Sequence, residues 1–93
     1  MYRLTYSKDF SKSLKKINSG VGGKKIVQEL EVFLDILVSG KKIPENYKDH
    51  QLHGDLNEYR ECHIRGDVLI VYKKEEKLLI ITLINIGSYS YLF

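Results

Sequence analysis

The stretch Tyr59–Tyr72 reads YRECHIRGDVLIVY and contains two strand-like runs on either side of Gly66-Asp67. A Gly-Asp pair between β-branched and aromatic runs predicts a β-hairpin with a tight turn. The hairpin should bring His63 close to Asp67 near one end of a sheet. Side chains alternate between the faces of a strand, so one polar face is expected to carry Tyr59, Glu61, His63 and Arg65. An exposed, ionisable face of this kind is suited to chemistry on an anionic substrate.

Two amphipathic helices are predicted ahead of the hairpin. In the first, Phe10, Leu14 and Ile17 recur at helical spacing, and Ser7 is a favourable N-cap. The second runs from about Lys24 to Ser39 and ends at Gly40, a residue that favours the left-handed cap. Neither helix can bury its apolar stripe alone, so both are expected to pack as a helical hairpin on one face of a sheet.

The remaining segments complete an α+β fold. Tyr2–Tyr6 alternates as a strand, and Leu78–Ile86 is apolar enough to predict a central strand covered on both faces. Lys41–Leu56 has no periodicity, and we expect a long irregular loop of the kind that is often functional. The order is therefore β-α-α-β-β-β, with a mostly antiparallel sheet and the helical hairpin on one face.

The chain is short, and its composition limits the classes of protein it can belong to. Ninety-three residues with 43% apolar content predict a single domain, residues 1–93, with one core. Cys62 is the only cysteine, which excludes an intrachain disulfide and favours a buried thiol in a reducing compartment. With no apolar run of about 18 residues and no signal-peptide pattern, we expect a soluble, cytoplasmic chain without membrane contact.

Positive charge is concentrated at the start of the chain. Residues 1–25 contain seven Lys or Arg residues and one Asp, although the whole chain carries a net charge of only +3. Three of the lysines, Lys12, Lys15 and Lys16, lie off the apolar stripe of the first helix. They form either a solvated helix face or the electrostatic footprint of a polyanion, and charge alone does not separate these alternatives.

Four segments resemble YafQ-type toxins of the RelE superfamily. The opening, residues 2–10, is similar to theirs, and residues 47–54 (YKDHQLHG) resemble their Tyr-x-Asp-His-x-Leu-x-Gly segment. The hairpin stretch resembles the family's central signature, and residues 87–93 (GSYSYLF) resemble its Gly-Ser-His-Ser-x-Leu-Phe ending. The resemblance covers nearly the whole chain in matching order and implies a RelE-like fold.

The resemblance implies the toxin of a type II toxin–antitoxin system, a ribosome-dependent mRNA endonuclease. Its partners would be mRNA on the ribosome and a cognate RelB- or DinJ-like antitoxin in a toxin–antitoxin hetero-oligomer. Carried over by position, three residues fall on family active-site positions, namely His50, His63 and Asp67, and Phe93 falls on the family's C-terminal aromatic. Two positions depart, because the family's C-terminal histidine is Tyr89 here and an arginine four residues earlier is Asn85.

Metal-free RNA cleavage needs a base for the 2′-OH, an acid for the leaving 5′-oxygen and positive charge at the phosphate. We expect His50 to be the base, His63 to contact the phosphate or orient its neighbours, and Tyr89 to be the acid. Asp67 would orient a histidine or cap the turn, and Phe93 would stack on a base. Lys12, Lys15, Lys16 and Arg65 are the expected RNA contacts.

We expect no metal or other cofactor. Zinc is the obvious metal for a histidine-containing chain, but His50-x-x-His53 with His63 lacks a fourth ligand and the paired spacing of structural zinc sites. The alternative function is a degenerate toxin, a non-catalytic module that still binds the ribosome or the antitoxin.

Overall fold

The computed structural model describes residues 1–93, which form five strands and three helices. In chain order these are β1 (Arg3–Tyr6), α1 (Lys8–Asn18), α2 (Gly23–Ser39), β2 (His50–Gln51), β3 (Arg60–Arg65), β4 (Val68–Glu75), β5 (Ile80–Ser88) and α3 (Tyr89–Leu92). One sheet contains all the strands in the order β1-β5-β4-β3-β2. The pair β1–β5 is parallel and the other three pairs are antiparallel. The predicted α+β class with a mostly antiparallel sheet is confirmed.

The two long helices begin and end at residues with clear chemical roles. The Ser7 hydroxyl accepts a hydrogen bond from the Phe10 amide at 3.0 Å, which caps α1. Gly40 ends α2 in the left-handed conformation, with φ of 76°, as the sequence predicts. α2 begins at Gly23, within a residue of the expected start.

One hydrophobic core lies between the helices and the sheet. Phe33 of α2 is fully buried, and its ring centroid lies 5.1 Å from that of Tyr47 and 6.2 Å from that of Tyr72. Aromatic contacts at these distances add to the free energy of burial. The sheet contributes Cys62, Ile64, Ile70, Ile81, Leu83 and Ile86. Cys62 is thus a buried core residue, as the sequence analysis predicts for the only cysteine of the chain.

The predicted hairpin joins β3 to β4 through the expected turn. Arg65 pairs with Val68, and Gly66 occupies the left-handed region with φ of 56°, a conformation that costs glycine least. A shift in register between His63 and Arg65 marks a β-bulge just before the turn. A bulge re-aims the side chains that follow it, and this affects where Arg65 points.

Three local expectations were wrong. The segment 41–56 is not structureless, because it contains 3₁₀ turns at Glu45–Tyr47 and Gly54–Leu56 and the short strand β2. The predicted order contains no C-terminal helix, but Tyr89–Leu92 form α3. β5 begins at Ile80 and lies between β1 and β4, and the residues Ile80, Thr82 and Ile84 are only half-buried. β5 is therefore an interior strand, as expected, but it is not fully covered on both faces.

Most of the buried apolar residues belong to this core. The helices are short or contain both apolar and polar residues. None of them combines the length and the hydropathy that crossing a bilayer requires.

Candidate functional site

Two histidines from different segments approach one carboxylate on the face of the sheet away from the helices. The Nε2 atom of His50 lies 3.8 Å from Oε1 of Glu61, and Nε2 of His63 lies 3.8 Å from the same oxygen. The imidazoles are accessible, with side chains 48% and 37% exposed, whereas the Glu61 side chain is 7% exposed. At 3.8 Å these contacts are too long for hydrogen bonds, and each becomes an ion pair only when its imidazole is protonated. We call these three residues the histidine cluster.

Strand pairing explains why the three side chains meet. His50 of β2 is directly opposite Glu61 of β3, and paired residues of antiparallel strands share a face. His63 is two residues beyond Glu61, so alternation returns it to that face. The cluster therefore depends on β2, the strand that periodicity did not reveal.

The hydrogen bond of the other ring nitrogen fixes the tautomer of His50. Nδ1 lies 2.7 Å from the backbone carbonyl oxygen of Lys48. A carbonyl oxygen can only accept, so Nδ1 carries the hydrogen and Nε2 of the neutral ring has a free lone pair. A proton taken up by Nε2 places positive charge beside the Glu61 carboxylate, which stabilises it. This arrangement suits a general base.

Glu61 was expected on an open polar face, but the structure buries it to 5% exposure. The two imidazoles cover its carboxylate on one side, and it pairs across the sheet with Val71, which is itself buried. Sequence reasoning gave Glu61 no role. The i, i+2 spacing from His63 was the available signal, since it places a carboxylate beside an imidazole on one strand face.

The structure does not bring Asp67 or Arg65 into the cluster. Asp67 is exposed in the turn and has no hydrogen bond to either histidine. After the bulge, the guanidinium of Arg65 lies 3.8 Å from the Glu29 carboxylate on α2. Arg65 therefore extends towards the helices and does not share the face of His63, contrary to the alternation expected from sequence.

The C-terminal aromatics form their own group. The rings of Tyr89 and Phe93 pack with centroids 5.1 Å apart, and no hydrogen bond joins Tyr89 to a histidine. Across the sheet, His63 pairs with Leu69 and Leu69 pairs with Gly87. Tyr89 therefore follows β5 at the same end of the sheet, two strands away from β3. Its side chain is 66% exposed and free to meet a bound molecule.

Tyr91 and Asn85 attach this C-terminal helix to α1. The Tyr91 hydroxyl lies 3.0 Å from Oγ of Ser13, and its ring covers Gly87, where an added Cβ would lie 2.5 Å from a ring carbon. Oδ1 of Asn85 accepts hydrogen bonds from Oγ of Ser13 at 2.7 Å and from the Ile86 amide at 2.9 Å. Asn85 thus makes internal contacts at a position where the resembled family has an arginine.

The lysines of α1 lie apart from the histidine cluster. Lys12, Lys15 and Lys16 are all exposed, in keeping with both alternatives left open by the sequence. His53 is also exposed, and its backbone begins the second 3₁₀ turn.

A cavity lined in part by Gln51, the neighbour of His50 in β2, does not include the two clustered histidines. Its volume is about 810 Å³, and Asp49, Arg60 and Tyr72 contribute to its wall beside several lysines. No group of three or more His, Cys, Asp or Glu side chains is arranged to hold a metal ion.

A family model described as the bacterial toxin of type II toxin–antitoxin systems, YafQ, matches residues 2–93. The chain belongs to the YafQ family. A putative YafQ toxin of Haemophilus influenzae is 35% identical over 75 residues, covering 76% of this chain and 70% of that protein. The mRNA interferase toxin YafQ of Escherichia coli K12 is 31% identical over 77 residues, covering 82% of this chain and 80% of that protein.

Solved YafQ structures share the fold. The Escherichia coli DinJ–YafQ toxin–antitoxin complex contains a chain that superposes with a TM-score of 0.82 at 25% identity, with 99% of this chain and 97% of that chain covered. The family and fold implied by the four sequence segments are therefore confirmed.

Proposed function

We propose that this chain, acting as one domain over residues 1–93, is a ribosome-dependent mRNA endonuclease and the toxin of a type II toxin–antitoxin pair. The observation that carries the proposal is the histidine cluster, in which two accessible imidazoles share one buried carboxylate. Relatives named mRNA interferase toxins support the reaction class.

His50 is the general base of the proposed reaction. Its Nε2 lone pair takes the proton of the ribose 2′-OH, and the resulting alkoxide attacks the adjacent phosphorus atom. The bond from phosphorus to the 5′-oxygen breaks, leaving a 2′,3′-cyclic phosphate on one fragment. Glu61 stabilises the imidazolium, and proton transfer by a positioned histidine accelerates such reactions by about 10²–10⁴-fold.

The other candidate residues have roles at the phosphate and at the leaving group. Protonated His63 contacts the scissile phosphate, and the Tyr89 phenol protonates the departing 5′-oxygen. Phe93, which packs on Tyr89, stacks on a base of the mRNA. Asp67, in the turn between β3 and β4, orients a histidine in the complex with RNA or caps the turn.

Exposed cations supply the sequence-independent part of ribosome binding. Lys12, Lys15 and Lys16 contact phosphates, and Arg65 contacts RNA on release from Glu29. Changing the three lysines to Gln should weaken ribosome binding and reduce the slope of log K against log salt by about 2–3, or nearly 1 per lost contact. Equal slopes for the variant and the wild type would show that the three lysines are a solvated helix face and do not contact RNA.

A cognate antitoxin of the RelB or DinJ type is the proposed protein partner. The fold match to YafQ in the DinJ–YafQ complex supports this pairing. Co-expression with a candidate antitoxin encoded beside the toxin gene should yield a hetero-oligomer by size-exclusion chromatography and restore growth.

Primer extension on an mRNA translated with and without the purified chain tests the activity. New 5′ ends that appear only with the chain and with ribosomes support a ribosome-dependent nuclease. Cuts in naked mRNA at the same rate would contradict ribosome dependence.

A degenerate toxin that binds without cutting is the second candidate function. It is favoured by Asn85 and Tyr89, which stand where the family has an arginine and a histidine, and by the internal hydrogen bonds that occupy Asn85. In the same primer-extension assay, stalled ribosomes without new mRNA ends would establish this alternative.

A further inference from the structure

A second polar cluster lies on the helix-facing side of the same strands. The Asp49 carboxylate accepts hydrogen bonds from Arg60 Nη2 at 2.7 Å, from Arg60 Nε at 3.2 and 3.3 Å, and from the Cys62 thiol at 3.1 Å. The Tyr72 hydroxyl donates a further hydrogen bond to it. We call these four residues the aspartate cluster. It contains no buried side-chain polar atom without a partner.

The charges within the aspartate cluster are fixed. Burial disfavours ionised Asp49, but hydrogen bonds from Arg60, Tyr72 and Cys62 outweigh burial, so the pKa of Asp49 lies below its ordinary value. Burial, together with the hydrogen bond to Asp49, raises the pKa of Cys62 and the pKa of Tyr72. Both groups stay protonated and remain donors, so the Asp49 side chain is held from three sides.

Asp49 is also the residue that directly precedes the proposed base. The Asp49 side chain points to the helix side and that of His50 to the open side, as alternation requires. The carbonyl that accepts from His50 Nδ1 belongs to the peptide group joining Lys48 to Asp49. Lys48 itself occupies the left-handed region with φ of 51°, which is uncommon for a residue with a side chain. The Lys48 amide donates to the Glu45 carbonyl oxygen at 2.9 Å, and the hydrogen bonds of the Asp49 side chain restrain the other end of this peptide.

We propose that Asp49 is a positioning residue for His50: its hydrogen bonds to Arg60, Cys62 and Tyr72 hold the 48–49 peptide so that the Lys48 carbonyl selects the Nδ1–H tautomer of His50. With the tautomer fixed, Nε2 is left as the proton acceptor beside Glu61. The inference rests on the proposed function only in naming His50 as the base.

The first test reads the tautomer directly by nitrogen NMR of the imidazole ring in Asp49→Asn. Spectra are taken in the alkaline range where the ring shifts no longer change with pH, so that the rings are neutral. The wild-type His50 should give the shifts of an Nδ1–H ring, and the variant should shift towards Nε2–H. His53, exposed in the same segment, serves as the internal reference in both spectra.

The second test separates positioning from binding by kinetics. Asp49→Asn should lower kcat for mRNA cleavage on the ribosome by roughly tenfold or more, with KM for the ribosome–mRNA complex little changed. Ile70→Val, a buried change on β4 outside the cluster, is the control for lost stability and should keep the wild-type kcat.

The two tests fail separately. If the wild type does not cut mRNA, the proposed function is wrong, but the tautomer measurement still decides the positioning role. A folded Asp49→Asn that keeps the Nδ1–H tautomer would overturn the positioning role. Tyr72→Phe removes one donor and retains the ring, so it should give a smaller shift in the same direction even if Asp49→Asn does not fold.

Discussion

Two polar clusters lie on opposite faces of the sheet around β3, one with β2 and the other with β4 and the residue just before β2. The clusters differ in how many of their polar groups are hydrogen-bonded. In the aspartate cluster Arg60, Cys62 and Tyr72 all donate hydrogen bonds to Asp49, no buried side-chain polar atom lacks a partner, and the side chains are mostly buried. In the histidine cluster the polar atoms stand 3.8 Å apart and the imidazoles are accessible. A satisfied cluster has nothing left to bind, whereas an unsatisfied, accessible one can accept a substrate. The extent of hydrogen bonding therefore distinguishes the face of the aspartate cluster from the face on which we propose the reaction.

The largest expected effect is on stability, from removing the ion pair of the aspartate cluster. Asp49→Ala leaves Arg60 partly buried without its partner, which should lower the free energy of unfolding by about 3 kcal/mol. Urea denaturation monitored by far-UV circular dichroism measures this loss. His63→Ala, on the other face, is the matched control and should change stability by less than about 1 kcal/mol. Equal losses for both variants would erase the distinction between the clusters.

The next largest effect is on the rate of mRNA cleavage, and substitutions in the histidine cluster should produce it. His50→Ala should slow cleavage of ribosome-bound mRNA by about 100-fold, because the reaction loses its base. His53→Ala, an exposed histidine three residues away, should cut at the wild-type rate. Primer extension with time courses gives both rates. Wild-type cleavage by His50→Ala would show that the histidine cluster is not the reactive centre.

A smaller effect on the cleavage rate tests whether Tyr89 takes part in the reaction together with the histidine cluster. Tyr89→Phe keeps the ring that packs on Phe93 but removes the phenol, and it should slow cleavage about tenfold. Tyr91→Phe removes the hydroxyl that contacts Ser13 and provides a comparison on the same short helix. An unchanged rate for Tyr89→Phe would show that the Tyr89 ring is only a stacking surface and that another residue is the general acid.

The smallest effect is on the pH dependence of stability. Because the pKa of Asp49 is lowered in the folded state, its contribution is present above the unfolded-state value of about 3.9 and is lost as pH falls through the folded-state pKa. The free energy of unfolding of the wild type should therefore fall more steeply on acidification than that of Asp49→Asn. Parallel curves between about pH 5 and pH 2 would contradict the assignment.

Local patterns predicted the elements whose stability is local. The apolar stripe of Phe10, Leu14 and Ile17, the Ser7 cap and the Gly66-Asp67 turn each depend on residues a few positions apart, and each was located from sequence. β2 escaped prediction because two residues have no measurable period. Its pairing with β3 spans eleven residues and depends on where the preceding loop is anchored.

The candidate site was predicted by residue type but not by arrangement. His50 and His63 were named from the resemblance, and the structure places them around one carboxylate. The burial of Glu61 was not predicted, because it depends on both imidazoles. The role of Asp49 was not predicted, because its hydrogen-bond donors come from β3 and β4. The bulge that redirects Arg65 could not be predicted from the alternation of polar and apolar residues along the strand.

The parallel pairing of β1 with β5 has a consequence for synthesis of the chain. Arg3 pairs with Ile80, so the first strand to leave the ribosome must wait for the last one before it can be hydrogen-bonded. Contacts between residues so far apart in sequence form late in folding. A growing chain that ends before Ile80 leaves β1 without its partner strand, so the five-stranded sheet can be completed only after β5 has left the ribosome.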